Sequence, residues 1–227
     1  MPLDALDNPI WSALVSAQSH FAVGGAHAKR YPAEVAPFIA VAEPTQAAAD
    51  ALAALVAPGE VVNIVNVTPQ LSDGWTLLAT GHIMQMVWRG DAADPSATGD
   101  DIVALGNDDL PDMLALTALV FPGYFRARTP QMGEYFGIRQ QSRFAAMAGE
   151  RMKLHEQVEI SAVCTHPDFI GRGYAARLVN HVVSRQLQRG LTPFLHVSDT
   201  NSRARHLYER LGFVDRARLP LWLLRRQ

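Results

Sequence analysis

The chain has 227 residues, 48% of them apolar, with 20 Lys and Arg against 22 Asp and Glu, so its net charge is near −2. This composition excludes intrinsic disorder and argues against a broad nucleic-acid-binding surface, and the single Cys164 excludes an internal disulfide framework and fits a reducing compartment. No apolar run approaches the roughly 18–20 residues of a membrane span, and residues 1–7 lack the basic stretch and apolar core of a signal peptide, so a soluble cytoplasmic protein of one large or two small domains is expected.

In chain order, residues 8–21 read as a helix, with Asn8 placed to cap it and Pro9 in its first turn. A short apolar run covers 35–41. Residues 45–56 are alanine-rich and helical, stopped by Pro58-Gly59. Strands are predicted at 60–67 and 75–88, the second with a break at Gly81. Residues 89–101 are polar, rich in small residues, proline and glycine, and without apolar periodicity. They read as a loop or linker between an N-terminal α/β region (1–95) and a second unit (100–227). After it come a short strand at 101–105 and a helix capped by Asp108 or Asp109 that runs to Val120 and ends at Pro122-Gly123. A hairpin of 133–139 and 143–151 follows, then a strand at 158–164, a helix at 173–189, a strand at 193–198, a helix at 201–211 and a last strand at 213–225.

The densest chemical signal is Ile170-Gly171-Arg172-Gly173-Tyr174-Ala175 between the strand at 158–164 and the helix at 173–189. A strand, a glycine-rich turn and a helix start make a phosphate cradle: glycine lets the backbone approach an anion, and the first helical N–H groups lack partners. About 25 residues on stands Asn201-Ser202-Arg203-Ala204-Arg205-His206-Leu207-Tyr208-Glu209-Arg210-Leu211-Gly212-Phe213. Together these blocks resemble the GCN5-related N-acetyltransferase family, and within it the FR47-like group. The family's turn reads Gln/Arg-x-x-Gly-x-Gly/Ala; Gly173 and Ala175 match it and Ile170 departs from it. The later signature, Asn-x-x-Ala-x-x-x-Tyr-Glu-x-x-Gly-Phe, matches at every named position.

The resemblance covers roughly residues 100–227 and implies an α/β fold of the α+β type, with a mixed central sheet and flanking helices. Some members carry a degenerate second copy of the fold at the N-terminus, and the first half has a compatible shape. The resemblance implies acetyl-CoA as cofactor. Its pyrophosphate would sit on backbone N–H groups of Gly171, Arg172, Gly173, Tyr174 and Ala175, with a charge-assisted contact from Arg172. Its pantetheine arm would pair with the backbone of Val163, Cys164 and Thr165 at the splayed strand end. Asn201 caps its helix and, by the resemblance, also touches the cofactor.

Acetyl transfer to an amine needs a polarised thioester, a neutral amine and a proton for the leaving thiolate. Tyr208 matches the family's general acid, and a phenol stays protonated at neutral pH; its competing reading is a packed core tyrosine. Glu159, eleven residues before Ile170, is the candidate general base, its pKa raised by burial in a cleft, against the reading of a surface glutamate. Glu150 and His155 are fallback bases, His196 reads as a satisfied core histidine, and some family members use only ordered water. Cys164 is a nucleophile or, within its apolar run, a small buried thiol. No metal-ligand spacing and no Gly-x-x-x-x-Gly-Lys-Ser/Thr occurs, so no metal and no nucleotide triphosphatase is expected.

The resemblance implies a small-molecule or peptide amine as acceptor, which would attack directly in a ternary complex. Residues 121–131 and parts of the first half would wall its site, where Arg126 and Arg128 bind a carboxylate or lie in a solvated loop. Neither nucleic acid nor membrane is an expected partner, and a homodimer is compatible. Two rival readings are a non-catalytic acyl-CoA-binding regulatory module, motivated by Ile170, and an acyltransferase for longer acyl groups.

Overall fold

Two long strands, Trp75–Trp88 and Phe213–Arg226, lie antiparallel at the middle of one sheet and join the two halves of the chain. The computed structural model describes residues 4–71, 73–91 and 101–227. Most of the expected linker, residues 92–100, lies outside the described residues. The strands are β1 (Val23–Gly24), β2 (Ala28–Arg30), β3 (Phe38–Val41), β4 (Val61–Val65), β5 (Trp75–Trp88), β6 (Ile102–Ala104), β7 (Tyr135–Gln140), β8 (Arg143–Lys153), β9 (Gln157–Thr165), β10 (Thr192–Ser198) and β11 (Phe213–Arg226). The helices are α1 (Pro9–Leu14), α2 (Gln46–Leu55), α3 (Leu110–Val120), α4 (Tyr174–Gln188) and α5 (Ser202–Arg210). The sheet order is β1-β2-β3-β4-β11-β5-β10-β9-β8-β7-β6.

The halves repeat one pattern. Parallel β3 and β4 are joined by α2, and parallel β9 and β10 by α4, because parallel neighbours need a crossover rather than a tight turn. Each half lends its last strand to the other: β5 pairs antiparallel with β10, and β11 with β4.

Helix α4 shows why such a segment folds. Leu178, Val179, Val182, Val183 and Gln186 recur on one face and are buried, while Arg177 and Arg185 face carboxylates at the rim. Each buried aliphatic side chain contributes about 1.5–3 kcal/mol. They pack with Ile160, Leu195, Phe136, Tyr208 and Phe213. Gly212 ends α5 at φ +91°, and an added Cβ there would lie 3.2 Å from Gly90 Cα, so the crossing of these two segments requires glycine. Trp88 Nε1 donates to Leu211 O at 3.0 Å across the same crossing.

Three sequence expectations change. The helix at 8–21 stops at Leu14, followed by turns and a 3-10 segment at Ser19–Phe21. Gln18 is drawn into tertiary bonds instead, donating to Arg151 O at 2.7 Å and accepting from the Tyr31 hydroxyl at 2.6 Å. Asn8 makes no side-chain cap; its Nδ2 donates to Val41 O at 2.8 Å. The strand at 75–88 is unbroken at Gly81 and carries its register shift around Leu78. The β7–β8 hairpin forms as expected, with Gln141 and Ser142 both at positive φ, as a tight hairpin turn demands.

Candidate active site

β9 and β10 part company halfway. They pair from Gln157↔Thr192 to Ile160↔Leu195, while β9 runs on beside β8 to Thr165 and β10 beside β5 to Ser198. A bulge in β9, where the register against β8 shifts between Met147 and Gly149 and Ala162 takes φ +54°, bends the strand at the fork. Val163, Cys164 and Thr165 therefore lie where β9 has lost its parallel neighbour.

The chain then makes a 3-10 turn at Pro167–Phe169 and enters α4 through Gly171 (φ +87°) and Gly173 (φ +77°). Only glycine takes this left-handed pair at low cost. The first helical bond is Arg177 N–H to Gly173 O at 3.2 Å, so the amides of Tyr174, Ala175 and Ala176 precede the ladder. A Cβ built on Gly171 or Gly173 meets nothing within 4 Å. Free N–H groups, the positive end of a helix of 15 residues and open space before the glycines fit a diphosphate.

Of the basic side chains here, Arg177 pairs with Asp101 and Arg143 with Asp168. Arg172 is exposed, stacks over Phe169 at 5.1 Å and has no carboxylate partner among the described residues. Ile170 is 50% exposed beside it, so the apolar departure stands at the rim of the cradle. The Tyr174 side chain is buried in the core, so only its backbone N–H is left at the turn.

Asn201 caps α5, accepting from Ala204 N–H at 3.1 Å. Two turns on, Tyr208 is buried with its ring edge-on to Phe213 at 6.1 Å. Burial, reinforced by Cys164 nearby, pushes its phenol up to about 12. Cys164 is also buried, and burial pushes its thiol up to about 12. At neutral pH both keep their protons: the phenol is a donor, and the thiol is a small core side chain rather than a nucleophile.

Glu159 departs from expectation. It is fully buried, yet its pKa falls to about 2: burial alone would raise it, and the Arg151 guanidinium and His196 outweigh that. Arg151 donates through Nε to Oε2 at 2.8 Å and through Nη2 to Oε1 at 2.5 Å, and His196 Nδ1 lies 2.8 Å from Oε1. Gln85 fixes the histidine tautomer. Its Oε1 accepts from Arg216 at 2.8 Å and its Nε2 donates to Leu6 O at 2.9 Å, so the Nε2 contact to His196 Nε2 at 3.0 Å is also a donation. His196 must accept there and donate from Nδ1 to Glu159.

The fallback Glu150 is equally occupied, buried and paired with Arg189, Lys153 at 3.2 Å and Gln186 at 3.2 Å. His155 is exposed. Arg128 pairs with Glu34 at 2.7 Å on the surface, while the Arg126 Nε is buried without a partner among the described residues. Arg151 and Gln85 escaped the sequence reading. The signal for Arg151 was its place eight residues before Glu159 on the facing arm of a hairpin.

The family model described as FR47-like protein matches residues 135–223, from β7 into β11 and across both motifs. An 1.80 Å crystal structure from Novosphingobium aromaticivorans, assigned as an acetyltransferase of the GNAT family, shares 34% identity, with TM-score 0.90 over 99% of this chain and 100% of that one. The chain belongs to the GCN5-related N-acetyltransferase family. Two more distant structures share the fold. A GCN5-related N-acetyltransferase from Kribbella flavida has 17% identity and TM-score 0.62 over 94% of this chain and 91% of that one. A GCN5-related N-acetyltransferase-like protein from Streptococcus suis has 15% identity and TM-score 0.51 over 91% and 82%. No curated protein matches the sequence. As a family member the chain has the fork, the glycine turn and the tyrosine helix in one place, and among the described residues no helix is long and apolar enough to cross a membrane.

Proposed function

We propose that this protein transfers an acetyl group from acetyl-CoA to a primary amine by direct attack within a ternary complex. The observation that carries the reading is the open fork of β9 and β10 leading straight into a glycine turn with open space where side chains of Gly171 and Gly173 would stand. Bound acetyl-CoA would supply an activated thioester. The amides of Gly171, Arg172, Gly173, Tyr174 and Ala175 would hold its pyrophosphate, with Arg172 as the mobile counter-charge. The backbone of Val163, Cys164 and Thr165 would pair with the pantetheine amides, and Asn201 would contact the cofactor from the α5 cap.

As the new C–N bond forms and the C–S bond breaks, Tyr208 would give its proton to the departing sulfur and recover one from solvent. The amine's own proton goes to solvent, because Glu159 is ionised and saturated by Arg151 and His196 and has no free acceptor site aimed outward. Glu159 enters this reading as a group that fixes the strand pair at the base of the fork, not as the base.

One cofactor site per chain is expected. At the equivalent fork of the first half, Asn8 donates to Val41 O at 2.8 Å and Asn66 donates to Asp7 O at 2.7 Å, so residues 7 and 8 occupy the gap. The turn after β3 is Ala42-Glu43-Pro44, without glycine and with an acid where an anion would sit. We read this half as a degenerate copy that shapes the molecule. The test is calorimetric titration with acetyl-CoA and coenzyme A, followed by amine-dependent thiol release. Micromolar binding at one site with release supports the proposal. Binding without release for any amine would favour the regulatory module, and absence of binding would refute the site.

A further inference from the structure

The approach to the glycine turn carries more donors than a diphosphate needs. The segment between β9 and α4 is pinned: His166 N–H donates to Ala145 O at 2.8 Å, Phe169 N–H donates to His166 O at 2.9 Å, and the Phe169 side chain is buried. Three polar side chains gather around its ring. The Arg143 guanidinium lies 4.9 Å from the ring centroid, the Arg172 guanidinium 5.1 Å, and the His166 ring 5.8 Å. A guanidinium stacked on an aromatic ring is held in place without spending the N–H groups on its edge.

Each of the three keeps a donor to give. Arg172 has no carboxylate partner among the described residues. The Arg143 side chain is 56% exposed and gives only Nη2, to Asp168 Oδ2 at 2.5 Å, so its other N–H groups are unspent. An exposed pair of this kind holds weakly and yields to a stronger anion. His166 accepts the Asp168 N–H on Nδ1 at 3.2 Å, which leaves its own N–H on Nε2. Arg172 belongs to the turn itself, but Arg143 comes from elsewhere. It opens β8, which lies along the edge of β9 opposite β10. A cofactor in the fork lies on the β10 side of β9, and its diphosphate reaches the turn past the strand end. Whatever follows the diphosphate leads away from the fork.

We infer, resting on the acetyl-CoA reading, that Arg143 and His166 around Phe169 form a subsite for the 3′-phosphate of coenzyme A, with Arg172 between that phosphate and the diphosphate. The 3′-phosphate hangs from the same ribose as the diphosphate, so a single sugar ring separates it from the cradle. As a doubly charged monoester it suits the parallel N–H groups of a guanidinium. The adenine ring suits the place less well, because Phe169 is 6% exposed and offers no free aromatic face for stacking. The subsite makes the protein select coenzyme A over the same molecule without its 3′-phosphate.

Calorimetric titration with coenzyme A and with 3′-dephospho-coenzyme A tests this. The wild type should bind coenzyme A at least about tenfold more tightly, the worth of one hydrogen bond to a charged group, and the ratio should shrink as salt rises. Arg143→Met should bring the ratio near unity and leave the affinity for the dephospho form within about twofold. Asp168→Asn, which frees Arg143 from its exposed partner, should tighten coenzyme A by about two- to fivefold and leave the dephospho form unchanged; a purely structural role for Arg143 gives no such gain. Equal wild-type affinity for the two ligands overturns the subsite and leaves the acetyl-CoA reading standing. An Arg143→Met protein that keeps the full ratio also overturns the subsite. Binding of neither ligand removes the acetyl-CoA reading and the subsite with it. If Arg143→Met fails to fold, the wild-type ratio and the Asp168→Asn gain decide.

Discussion

Arg151 holds both carboxylate oxygens of Glu159, at 2.8 and 2.5 Å, from the facing strand of one hairpin, and the guanidinium itself lies over the Phe38 ring at 4.6 Å. The pair belongs to the base of the fork rather than to its reacting end. Glu159→Gln is expected to keep turnover within about tenfold and leave the pH profile unchanged in shape, rising with pH as the acceptor ammonium loses its proton. General-base roles are worth about 10²–10⁴-fold, so a loss of that size with disappearance of an acidic limb would restore Glu159 as the base. Arg151→Met, which strands a buried carboxylate, should cost about 3–5 kcal/mol of stability by chemical denaturation.

The same pair makes stability depend on acid. Glu159 has a folded pKa of about 2, below its ordinary carboxylate value. Its contribution is therefore complete above the unfolded pKa and is lost as pH falls through the folded one. A shift of this size corresponds to about 3 kcal/mol. Denaturant midpoints should fall between about pH 5 and pH 2, and the Glu159→Gln protein should show a shallower fall. An identical slope in both proteins would refute the assignment.

Tyr208 is buried, protonated and next to Cys164. Tyr208→Phe removes one oxygen and preserves the ring contact with Phe213. Turnover should drop about 10²–10⁴-fold, with acetyl-CoA affinity changed less than twofold by calorimetry. Unchanged turnover would remove Tyr208 as the acid.

Gly173 has φ +77° and open space where a side chain would stand. Gly173→Val should abolish measurable acetyl-CoA binding, because the branched side chain fills the cradle. The fold should survive, losing about 1–2 kcal/mol for the left-handed backbone. Wild-type affinity in a folded variant would sink the cradle.

Ile170 presents an apolar surface at the rim where the family's turn has glutamine or arginine. Ile170→Gln should tighten coenzyme A binding by about 2–13-fold, the worth of one hydrogen bond of about 0.5–1.5 kcal/mol. Equal or weaker binding would show that the backbone amides alone define the site.

Much of this molecule was legible before folding. The hairpin of β7 and β8, the strand β9, the glycine turn and the capped helix α5 all follow from local signals: alternation, left-handed glycines and an asparagine three residues before its amide partner. The two motifs were readable because a cradle and a capped helix are each built within a few consecutive residues. Short elements escaped. β1 and β2, of two and three residues, exist through pairing partners rather than propensity, and α1 is cut short because Gln18 bonds across the fold to Arg151.

The sequence by itself determined the family, the glycine turn and the identity of the buried tyrosine's helix, since each rests on neighbours along the chain. Only the tertiary structure decided that β5 and β11 change places between the halves. It also decided the state of Glu159. A carboxylate in a protein is set by the groups within a few ångströms of it, and here those are the Arg151 guanidinium and the His196 N–H, eight and 37 residues away, brought together by the sheet alone.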